Sequence, residues 1–324
     1  MNQRRILCLG AGHGWHSSEL KMAAQRAQID FDSASYESMK SLLVDGRLDI
    51  YCESGPLSAY DIILTRTMPA GSFEQVTFRL AMLHEMHDRF GSDVAAGSVG
   101  NGEEHNCTEP EVGCPGPKVL NPPRSLELAI DKFATLSRVA ALGYLVPDTI
   151  VVQSRAEALE AFKSLGGDCV VKPIFGGEGR GVMRLREIEL AWTVFASLNQ
   201  VGAVCYIQQF KPPGGVDCRL LVIGDEVIGV RRRNPDDFRT NVAGGGVSER
   251  FTVSDQQRRM ALRICNDLDL TYAAVDLLET DDHAPCVIEV NAIPGWKGAQ
   301  GVVPFSIAER IVASLVSAAE SKLA

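Results

Sequence analysis

Two apolar runs near the C-terminus, joined by a short polar stretch, constrain the fold of this chain more than any other feature. The first run covers residues 272–278 and contains Asp276, and the second contains Glu289 and Asn291. The residues between the runs, 279–285, are of the polar, turn-forming kind, which predicts two antiparallel strands joined by a short loop. Side chains alternate between the two faces of a strand, so Glu289 and Asn291 must share a face.

The centre of the loop decides which residues lie opposite each other. A turn centred between Asp282 and His283 places Asp276 across from Glu289, with the Cβ atoms roughly 5 Å apart. Two carboxylates at this distance repel each other unless a cation compensates them. Mg²⁺ seeks oxygen ligands and is usually held by one or two carboxylates and substrate phosphates, so the pattern favours a nucleotide enzyme. Two alternatives remain at this point: an acidic hairpin face that simply meets water, and a one-residue slip that turns Asp276 to the opposite face.

The composition excludes several classes of function. The chain has 324 residues, enough for two or three compact units, and carries a net charge of −9. This charge argues against general nucleic-acid binding and against an anionic membrane surface, so a local basic cluster must attract any anionic ligand. No apolar run has the length of a membrane span, and the run after Arg5 is too short for a signal peptide. Nine widely spread cysteines fit a reducing compartment, so we expect a cytoplasmic protein.

The N-terminal part reads as a small α/β unit with a parallel sheet. A strand at 5–9 is followed by the glycine-rich residues 10–14 and by a helix from about Ser17, an order that suits anion binding at a helix N-terminus. A second strand is expected at 61–66 and a helix at 73–90. A dinucleotide fingerprint is the alternative interpretation of the glycines, but no strand-ending acid follows to hold a ribose.

The remainder alternates between helical and strand patterns. Residues 91–117 are rich in glycine, proline and acids, which indicates a flexible insertion. A helix is expected from Ser125 to Leu142, with Gly143 in a good position to end it. A β-rich unit follows the middle region and is closed by a C-terminal helix at about 307–322.

A lysine followed by closely spaced glycines marks a candidate phosphate site. Lys172 ends a short apolar strand, and four glycines occupy six successive positions soon after it: Gly176, Gly177, Gly179 and Gly181. Glycines let backbone N–H groups approach an anion closely. In a Walker loop the lysine follows the glycines and a helix begins, whereas here the lysine precedes them and a strand begins. We therefore expect a glycine-rich flap over phosphates, the alternative being a flexible hairpin with a structural lysine.

Arginines concentrate in the segment after residue 216. Arg219 lies in a predicted hairpin at 217–229 whose turn is a Gly-Asp pair, and Arg231, Arg232 and Arg233 follow it. A run of charges is usually a solvated face. Strand alternation, however, sends the middle arginine one way and its neighbours the other, which leaves at least one to face a cleft.

The order of these features resembles the ATP-grasp superfamily, and most closely the RimK-type glutamate ligases. The likeness runs from about Leu120 to the C-terminus and is strongest in VVKPIFGGEGRGV, VDCRLLVIGDEVIG, DFRTN, VDLL and VIEVNAIPG. The earlier segment TRTMPAGSFEQVTFRLAMLHEM resembles the branch related to ligases that add glutamate to tetrahydromethanopterin-like coenzymes.

The resemblance implies an α/β (α+β) fold of the ATP-grasp type. It implies an N-terminal α/β pre-ATP-grasp domain at 1–118, which contains the flexible insertion at 91–117. A central subdomain at 119–205 would carry the glycine-rich flap, and a C-terminal subdomain at 206–324 would carry the metal ligands. The two subdomains would clasp ATP between them.

The resemblance also implies roles for particular residues. The family's phosphate-binding lysines and flap glycines match Lys132, Lys172, Gly176, Gly177 and Gly179. The hinge, an acid of the nucleotide site and a phosphate-side segment match Gln209, Phe210, Asp217, Arg239, Thr240 and Asn241. The ligands of Mg²⁺ or Mn²⁺, with two ions expected, match Asp276, Glu289 and Asn291. Dipeptide ligases of the superfamily often carry an arginine at the position where this chain has Ala274. Because this chain has no arginine there, charge stabilisation during catalysis is expected from Arg219 and Arg239. The family often has glutamate at the position of Gln209.

The activity implied is ATP-dependent carboxylate–amine ligation through an acyl phosphate. The amine would be that of glutamate or a similar amino acid, and the acceptor carboxylate could belong to a tetrahydromethanopterin-like pterin, a peptide or a protein C-terminus. A non-catalytic ATP-binding regulatory subunit and a small-molecule kinase on the same fold are the competing interpretations. The oligomeric state stays open, a homo-oligomer included.

Overall fold

The structure is a computed structural model that describes residues 4–91, 116–177, 179–240, 245–279 and 285–320. The strands of this part of the chain are β1 (Arg5–Leu9), β2 (Asp30–Ala34), β3 (Lys40–Val44), β4 (Arg47–Cys52), β5 (Gly55–Pro56), β6 (Ile62–Thr65), β7 (Lys118–Leu120), β8 (Thr149–Val152), β9 (Cys169–Lys172), β10 (Met183–Leu185), β11 (Cys205–Gln209), β12 (Val216–Ile223), β13 (Glu226–Arg233), β14 (Val247–Arg250), β15 (Tyr272–Leu278) and β16 (Cys286–Asn291). Its helices are α1 (Trp15–Arg26), α2 (Phe73–Gly91), α3 (Pro123–Ile130), α4 (Lys132–Ala141), α5 (Arg155–Ser164), α6 (Ile188–Gln200), α7 (Asp255–Asp267), α8 (Lys297–Gln300) and α9 (Ile307–Glu320).

The chain forms two compact units. The first unit consists of Met1–Arg124 together with Ala308–Ala324, and the second consists of Ser125–Ile307. In the described ranges no helix is both long enough and apolar enough to cross a membrane.

A four-stranded parallel sheet forms the centre of the first unit, in the order β2-β1-β6-β7. All four residues of β6 and the last four of β1 are buried, as expected for parallel strands covered on both faces. Helix α1 packs against β2, and α2 packs against β7. The predicted parallel sheet of this region is therefore present.

A small antiparallel sheet, β3-β4-β5, also belongs to the first unit and was not predicted. Its first hairpin turns at Asp45 and Gly46, both with positive φ, which matches the two-residue turn that favours Asp-Gly. The whole of β3 is exposed, so the alternating burial that reveals a half-buried strand in a sequence is absent from it.

The second unit contains two antiparallel sheets. The first has the order β10-β9-β11-β8, and helices α5 and α6 cover one of its faces around the buried rings of Phe162 and Phe195. The second has the order β14-β13-β12-β15-β16, and α7 packs against β12 and β13. The predicted hairpin with a Gly-Asp turn is the β12–β13 pair, in which Ile223 lies opposite Glu226.

The helix expected from Ser125 to Leu142 is wrong as a single element, because α3 ends at Ile130 and α4 begins at Lys132. The break comes from Asp131, whose Oδ1 accepts hydrogen bonds from the N–H groups of Phe133 at 2.8 Å and Ala134 at 3.0 Å. An aspartate in this position satisfies the first free N–H groups of a new helix. The expected end of the helix is present, since Gly143 follows α4 with a φ of 86°.

The division into units differs from the predicted boundaries in two places. Strand β7 pairs with β6 and so belongs to the first unit, and the chain from Ala308 onward belongs there too. Long-range contacts explain the second difference: Arg26 pairs with Glu309 at 2.7 Å, and Lys118 Nζ donates to the carbonyl of Ala318. The subdomain boundary at 205/206 stays a prediction. Of the insertion expected at 91–117, residues 92–115 lie outside the described residues.

Candidate active site

A cleft lined by both sheets of the second unit holds the predicted site residues. Its volume is about 1080 Å³, including the solvent at its open side. The cleft is lined by these predicted residues: Lys132, Lys172, Gly176, Gly177, Gly179, Gln209, Phe210, Asp217, Arg219, Arg239, Thr240, Asp276, Glu289 and Asn291. Asn241, the remaining one, lies outside the described residues. The structure thus brings these side chains together, while their individual roles stay predictions.

The strand pair β15–β16 has the predicted register at its central point, with Asp276 opposite Glu289. The ladder then shifts by one residue, so that Leu277 lies opposite Val287 and Ile288 is the extra residue of a β-bulge. A bulge re-aims side chains, and here both Ile288 and Glu289 line the cleft. The slip that would have turned Asp276 away from the cleft did not occur. The loop at 280–284, which contains the expected turn centre, lies outside the described residues.

Asp276 is the best-connected carboxylate of the cleft and is only 2% exposed. Arg219 binds it with two hydrogen bonds, from Nε at 2.8 Å and from Nη2 at 2.7 Å, and Arg232 Nη2 adds a third at 3.0 Å. Burial alone would raise the pKa of Asp276, but the two guanidiniums outweigh burial and hold this pKa well below its ordinary value. Asp276 is therefore an anion at neutral pH.

A second buried carboxylate shares Arg232. Arg232 Nε and Nη2 each donate to Asp217 at 2.6 Å, and the Thr240 hydroxyl donates to the same carboxylate. Burial raises the pKa of Asp217, and Arg232 opposes this shift. One guanidinium thus links two carboxylates in a paired and buried network.

Arg232 was not singled out from the sequence, although two signals for it existed. Strand alternation separates Arg232 from Arg231 and Arg233. In addition, the two-residue turn of the β12–β13 hairpin places Asp217 directly opposite it.

The donor set around Asp276 fits a divalent ion of the hard type. Within the described chain the Glu289 carboxylate makes no hydrogen bond or ion pair, so both of its oxygens are available to a cation. Asn291 Oδ1 accepts one bond, from the N–H of Ile293 at 2.8 Å, and keeps a second lone pair. The described residues contain no group of three or more His, Cys, Asp or Glu side chains that could hold a metal on their own. Two carboxylates and one amide suit Mg²⁺, which is usually completed by substrate phosphates and water.

Two lysines reach the cleft, Lys172 from strand β9 and Lys132 from the start of helix α4. Lys172 Nζ donates to Gln208 Oε1 at 2.6 Å, and burial lowers the pKa of Lys172 to about 8, with Glu289 opposing and Lys132 reinforcing the shift. Lys132 is the first residue of α4, and its Nζ donates to the carbonyl of Gly176 at 2.6 Å. The first lysine is therefore tied to its own sheet and the second to the flap.

Gln208 is a further residue that the sequence analysis missed. It is 3% exposed and lines the cleft, and its Nε2 donates to Thr149 Oγ1 at 3.0 Å while its Oε1 holds Lys172. No local pattern in the sequence marks Gln208: the structure pairs Tyr206 with Lys172, and strand alternation then puts Gln208 on the same face of the sheet as Lys172.

The N–H groups of the predicted hinge residues Gln209 and Phe210 both have backbone partners. The N–H of Gln209 donates to the carbonyl of Asp148 at 2.8 Å, and the N–H of Phe210 donates to the carbonyl of Asp168 at 3.0 Å. These two N–H groups are therefore already bonded within the protein, and the role of the segment in nucleotide binding stays a prediction. The Phe210 ring is held by the Arg184 guanidinium, whose Cζ lies 3.3 Å from the ring centroid.

Arg239 is placed at the cleft but is half exposed and paired locally. Its Nε and Nη2 bind Asp237 at 2.9 and 2.5 Å, and this contact lowers the pKa of Asp237. Of the two arginines expected to act in catalysis, only Arg219 reaches a carboxylate at the centre of the cleft.

The family comparison agrees with this geometry. The model of the RimK-like ATP-grasp domain matches residues 129–315, more than half of the chain. Among curated proteins, the tetrahydromethanopterin:alpha-L-glutamate ligase of Methanosarcina acetivorans is 27% identical over 271 residues, which cover 75% of each chain. The corresponding enzyme of Methanocaldococcus jannaschii is 31% identical over 210 residues, covering 63% of this chain and 72% of the relative. The ribosomal protein bS6--L-glutamate ligase of Shigella boydii is 31% identical over 197 residues, covering 60% and 65%.

Solved structures show the same fold over nearly the whole chain. The ATP-grasp ligase PsnB, complexed with a minimal precursor, Mg and ADP, superposes with a TM-score of 0.68 at 18% identity, covering 97% of this chain and 98% of the other. The ATP-grasp RimK domain protein of Sphaerobacter thermophilus also reaches 0.68 at 18% identity, covering 96% and 98%. At these identities the likeness establishes the fold.

Proposed function

Because the chain belongs to the RimK-like ATP-grasp family of ATP-dependent ligases, we propose that it joins the amino group of L-glutamate to a carboxylate of a tetrahydromethanopterin-like coenzyme. The observation that carries the ligase chemistry is the placement of Asp276 opposite Glu289 in a cleft that also holds Lys132 and Lys172. Anionic ligands for metal and cationic ligands for phosphate then face one another, as phosphoryl transfer requires.

The extent of the likeness favours a pterin acceptor over a protein tail. The Methanosarcina relative aligns over 75% of this chain, whereas the bS6-modifying relative aligns over 60%. The longer alignment must include part of the first unit, and differences between ligases of one fold are expected outside the shared nucleotide site. A peptide acceptor is the other outcome of the test below.

The reaction consists of two transfers. The γ-phosphoryl group of ATP passes to the acceptor carboxylate, which gives an acyl phosphate and ADP. The glutamate amine then attacks the acyl carbon, the C–O bond to phosphate breaks, and the amine loses a proton. Bound at Asp276, Glu289 and Asn291, Mg²⁺ would supply charge neutralisation of the phosphates. No covalent enzyme intermediate is needed, which agrees with cysteines that are buried wherever the structure describes them.

The cationic side chains of the cleft orient the substrates and neutralise the negative charge of the transferred phosphoryl group. Asp276 holds Arg219 through two bonds and Arg232 holds Asp276 in turn, so the guanidinium of Arg219 is fixed before substrate arrives. Groups that are fixed in advance stabilise a developing charge without reorganising. Lys132 and Lys172 serve as point charges on the phosphates.

The glycine-rich flap protects the intermediate. Gly176 and Gly179 have φ values of 125° and 72°, which side-chain-bearing residues rarely adopt, and a Cβ on Gly181 would come within 2.8 Å of Pro173 Cγ. Lys132 ties the flap to α4 through the carbonyl of Gly176. Closure of such a segment excludes water from an acyl phosphate, which would otherwise be hydrolysed.

The test is ADP release from Mg-ATP with L-glutamate and a reduced tetrahydropterin coenzyme, with a glutamate-terminated peptide in a parallel reaction. We expect ADP to appear only when glutamate and the pterin are both present, together with an equal amount of amide product. ADP formed with a phosphorylated acceptor and no amide would instead establish a kinase. ATP binding without ADP under every condition would establish the regulatory interpretation.

A further inference from the structure

In the second unit, the turn that leads from the predicted hinge into β12 is seated on the loop at 234–240, which follows β13. The N–H of Gly215 donates to the carbonyl of Phe238 at 3.0 Å, and the N–H of Asn234 donates to the carbonyl of Gly215 at 2.8 Å. A Cβ on Gly215 would lie 2.7 Å from the carbonyl oxygen of Asn234, so only glycine permits this approach. The turn therefore joins the two sheets of the unit and also holds the loop.

Two phenylalanine rings pack together at the same place. The rings of Phe210 and Phe238 meet edge to face, with centroids 6.2 Å apart at an interplanar angle of 78°, which is a favourable geometry for an aromatic pair. A Cβ on Gly214 would lie 2.7 Å from Phe210 Cζ and 3.3 Å from Phe238 Cβ, so the turn closes directly over the pair. Arg184, which binds Asp168 at 2.8 and 2.6 Å, also holds the Phe210 ring. Phe210 is thus a fixed support for Phe238.

The loop that Phe238 anchors also carries Thr240. The Thr240 hydroxyl donates to the carboxylate of Asp217, and both residues are buried. Asp217 binds Arg232, and Arg232 binds Asp276 at the centre of the cleft. Only one residue separates Phe238 from Thr240, so the position of the ring limits where the hydroxyl can lie. A continuous series of contacts therefore runs from the predicted hinge to Asp276.

We propose that Phe238 is a positioning residue of the ligase site, because its ring rests on Phe210 and thereby holds the hydroxyl of Thr240 on Asp217. Phe238 lines the cleft but has no polar side-chain atom, so it acts on the charged groups through Thr240. Without the ring, Asp217 loses the hydroxyl donor, and the network that it shares with Arg232 is no longer fixed in advance. The role of Phe238 in ligation rests on the proposed function, whereas its hold on Thr240 does not.

The hold on Thr240 is tested without turnover, through the affinity for Mg-AMPPNP measured by isothermal titration calorimetry. Asp217 and Thr240 line the cleft and are predicted nucleotide-site residues, so their displacement should weaken binding. Phe238→Ala and Thr240→Val should each weaken it about tenfold, as expected for the loss of one hydrogen bond to a charged group. The double variant should also lose about tenfold and not about a hundredfold, because both substitutions break the same contact.

The double variant distinguishes positioning from a general effect on stability. A ring that only stabilised the fold would leave the effect of Thr240→Val unchanged when it was removed, and the two losses would then multiply. Multiplied losses, or wild-type affinity in either single variant, overturn the proposal. If Phe238→Ala does not fold, Phe238→Leu replaces it, because leucine fills much of the space but lacks the ring, and the same pattern is expected.

Phe251→Ala is the matched control. It removes the same side chain from the same unit, and Phe251 lies beside Arg231, with 5.8 Å between the Arg231 Cζ and the ring centroid, and does not line the cleft. Its affinity for Mg-AMPPNP should equal that of the wild type. An equal loss in Phe251→Ala and Phe238→Ala would show that any lost ring weakens binding, and it overturns the proposal.

Turnover separates this proposal from the proposed function. At saturating Mg-ATP, kcat for amide formation should fall about tenfold in Phe238→Ala, with no further fall on adding Thr240→Val and no change in Phe251→Ala. If no acceptor supports turnover while the calorimetric pattern is present, the proposed function fails and the hold on Thr240 stands. If amide forms and the two losses multiply in both measurements, the positioning role of Phe238 fails alone.

Discussion

The two units bury their arginines in opposite ways. In the second unit Arg232 lies between Asp217 and Asp276, and every one of these charges has a partner within hydrogen-bond distance. In the first unit Arg66 and Arg79 are buried at the edge of a sheet, and the described residues there include no buried carboxylate. A network of paired buried charges fixes its members in advance of any ligand. The difference shows that buried ion pairs organise the cleft of the second unit.

The largest effect is expected from Asp276→Asn. The change removes a predicted metal ligand and the carboxylate that holds Arg219 and Arg232, so activity should fall by about a thousandfold or more, as when a group that stabilises transition-state charge is lost. Stability should fall by about 3–5 kcal/mol, because breaking a buried ion pair leaves uncompensated charge. Steady-state ADP release and urea unfolding measure the two quantities. Asp225→Asn, in the turn of the neighbouring hairpin, is the control, and an active Asp276→Asn enzyme would contradict the metal assignment.

A matched pair of arginine variants tests the comparison directly. Arg232→Gln leaves two buried carboxylates facing each other, so the free energy of unfolding should drop by about 3–5 kcal/mol. Arg79→Gln leaves no buried carboxylate behind among the described residues, so the lost hydrogen bond to the carbonyl of Pro69 should lower its free energy of unfolding by only about 1–2 kcal/mol. Urea unfolding in phosphate-free buffer measures both. Equal losses in the two variants would show that the charges of the two units are not organised differently.

The network of paired buried charges should also respond to acid. The pKa of Asp276 lies below its unfolded value, so this group stabilises the folded state above the unfolded pKa, and the contribution is lost as pH falls through the folded pKa. Between pH 7 and about pH 4 the wild type should therefore keep this contribution. The pH dependence of unfolding below that range should be shallower in Asp276→Asn. A curve of unchanged slope would argue that Asp276 is not the titrating group.

Lys172 gives a smaller effect at alkaline pH. Its folded pKa of about 8 lies below the ordinary lysine value, so the unfolded chain binds more protons above pH 8 and this group makes stability rise with pH there. Nucleotide affinity should change in the other direction, because neutral Lys172 no longer attracts phosphate. ADP affinity measured from pH 7 to pH 9 should weaken in the wild type, and Lys172→Arg should remove this dependence, since arginine stays protonated.

The smallest effect is expected at the hinge. Gln209→Glu restores the residue that the family often carries, and its backbone N–H is already bonded to Asp148. Because the backbone is unchanged by this substitution, the KM for ATP should stay within about twofold and stability within about 0.5 kcal/mol. A large rise in KM would show that the Gln209 side chain itself contacts the nucleotide.

Sequence alone predicted those parts of the site that depend on local periodicity. The turn between residues 279 and 285 placed Asp276 opposite Glu289, and the structure has this pairing. The β-bulge at Ile288 was not predictable, because an extra residue in one strand leaves no mark in the pattern of apolar residues. The split of the helix at 125–142 was missed for a related reason. Asp131 can cap a new helix only because its own backbone is extended there, and the apolar pattern does not show this change of backbone.

What the sequence by itself determined about this protein is the type of its elements and the order of its motifs, because strand alternation, turn residues and glycine spacing act over a few neighbouring positions. Tertiary structure alone decided that β7 and the chain from Ala308 complete the first unit, and that Arg66 lies against Gly10. It also decided that Arg232 sits between two carboxylates from different strands. Such pairings join residues far apart in the chain, and their geometry follows from packing that no local pattern records.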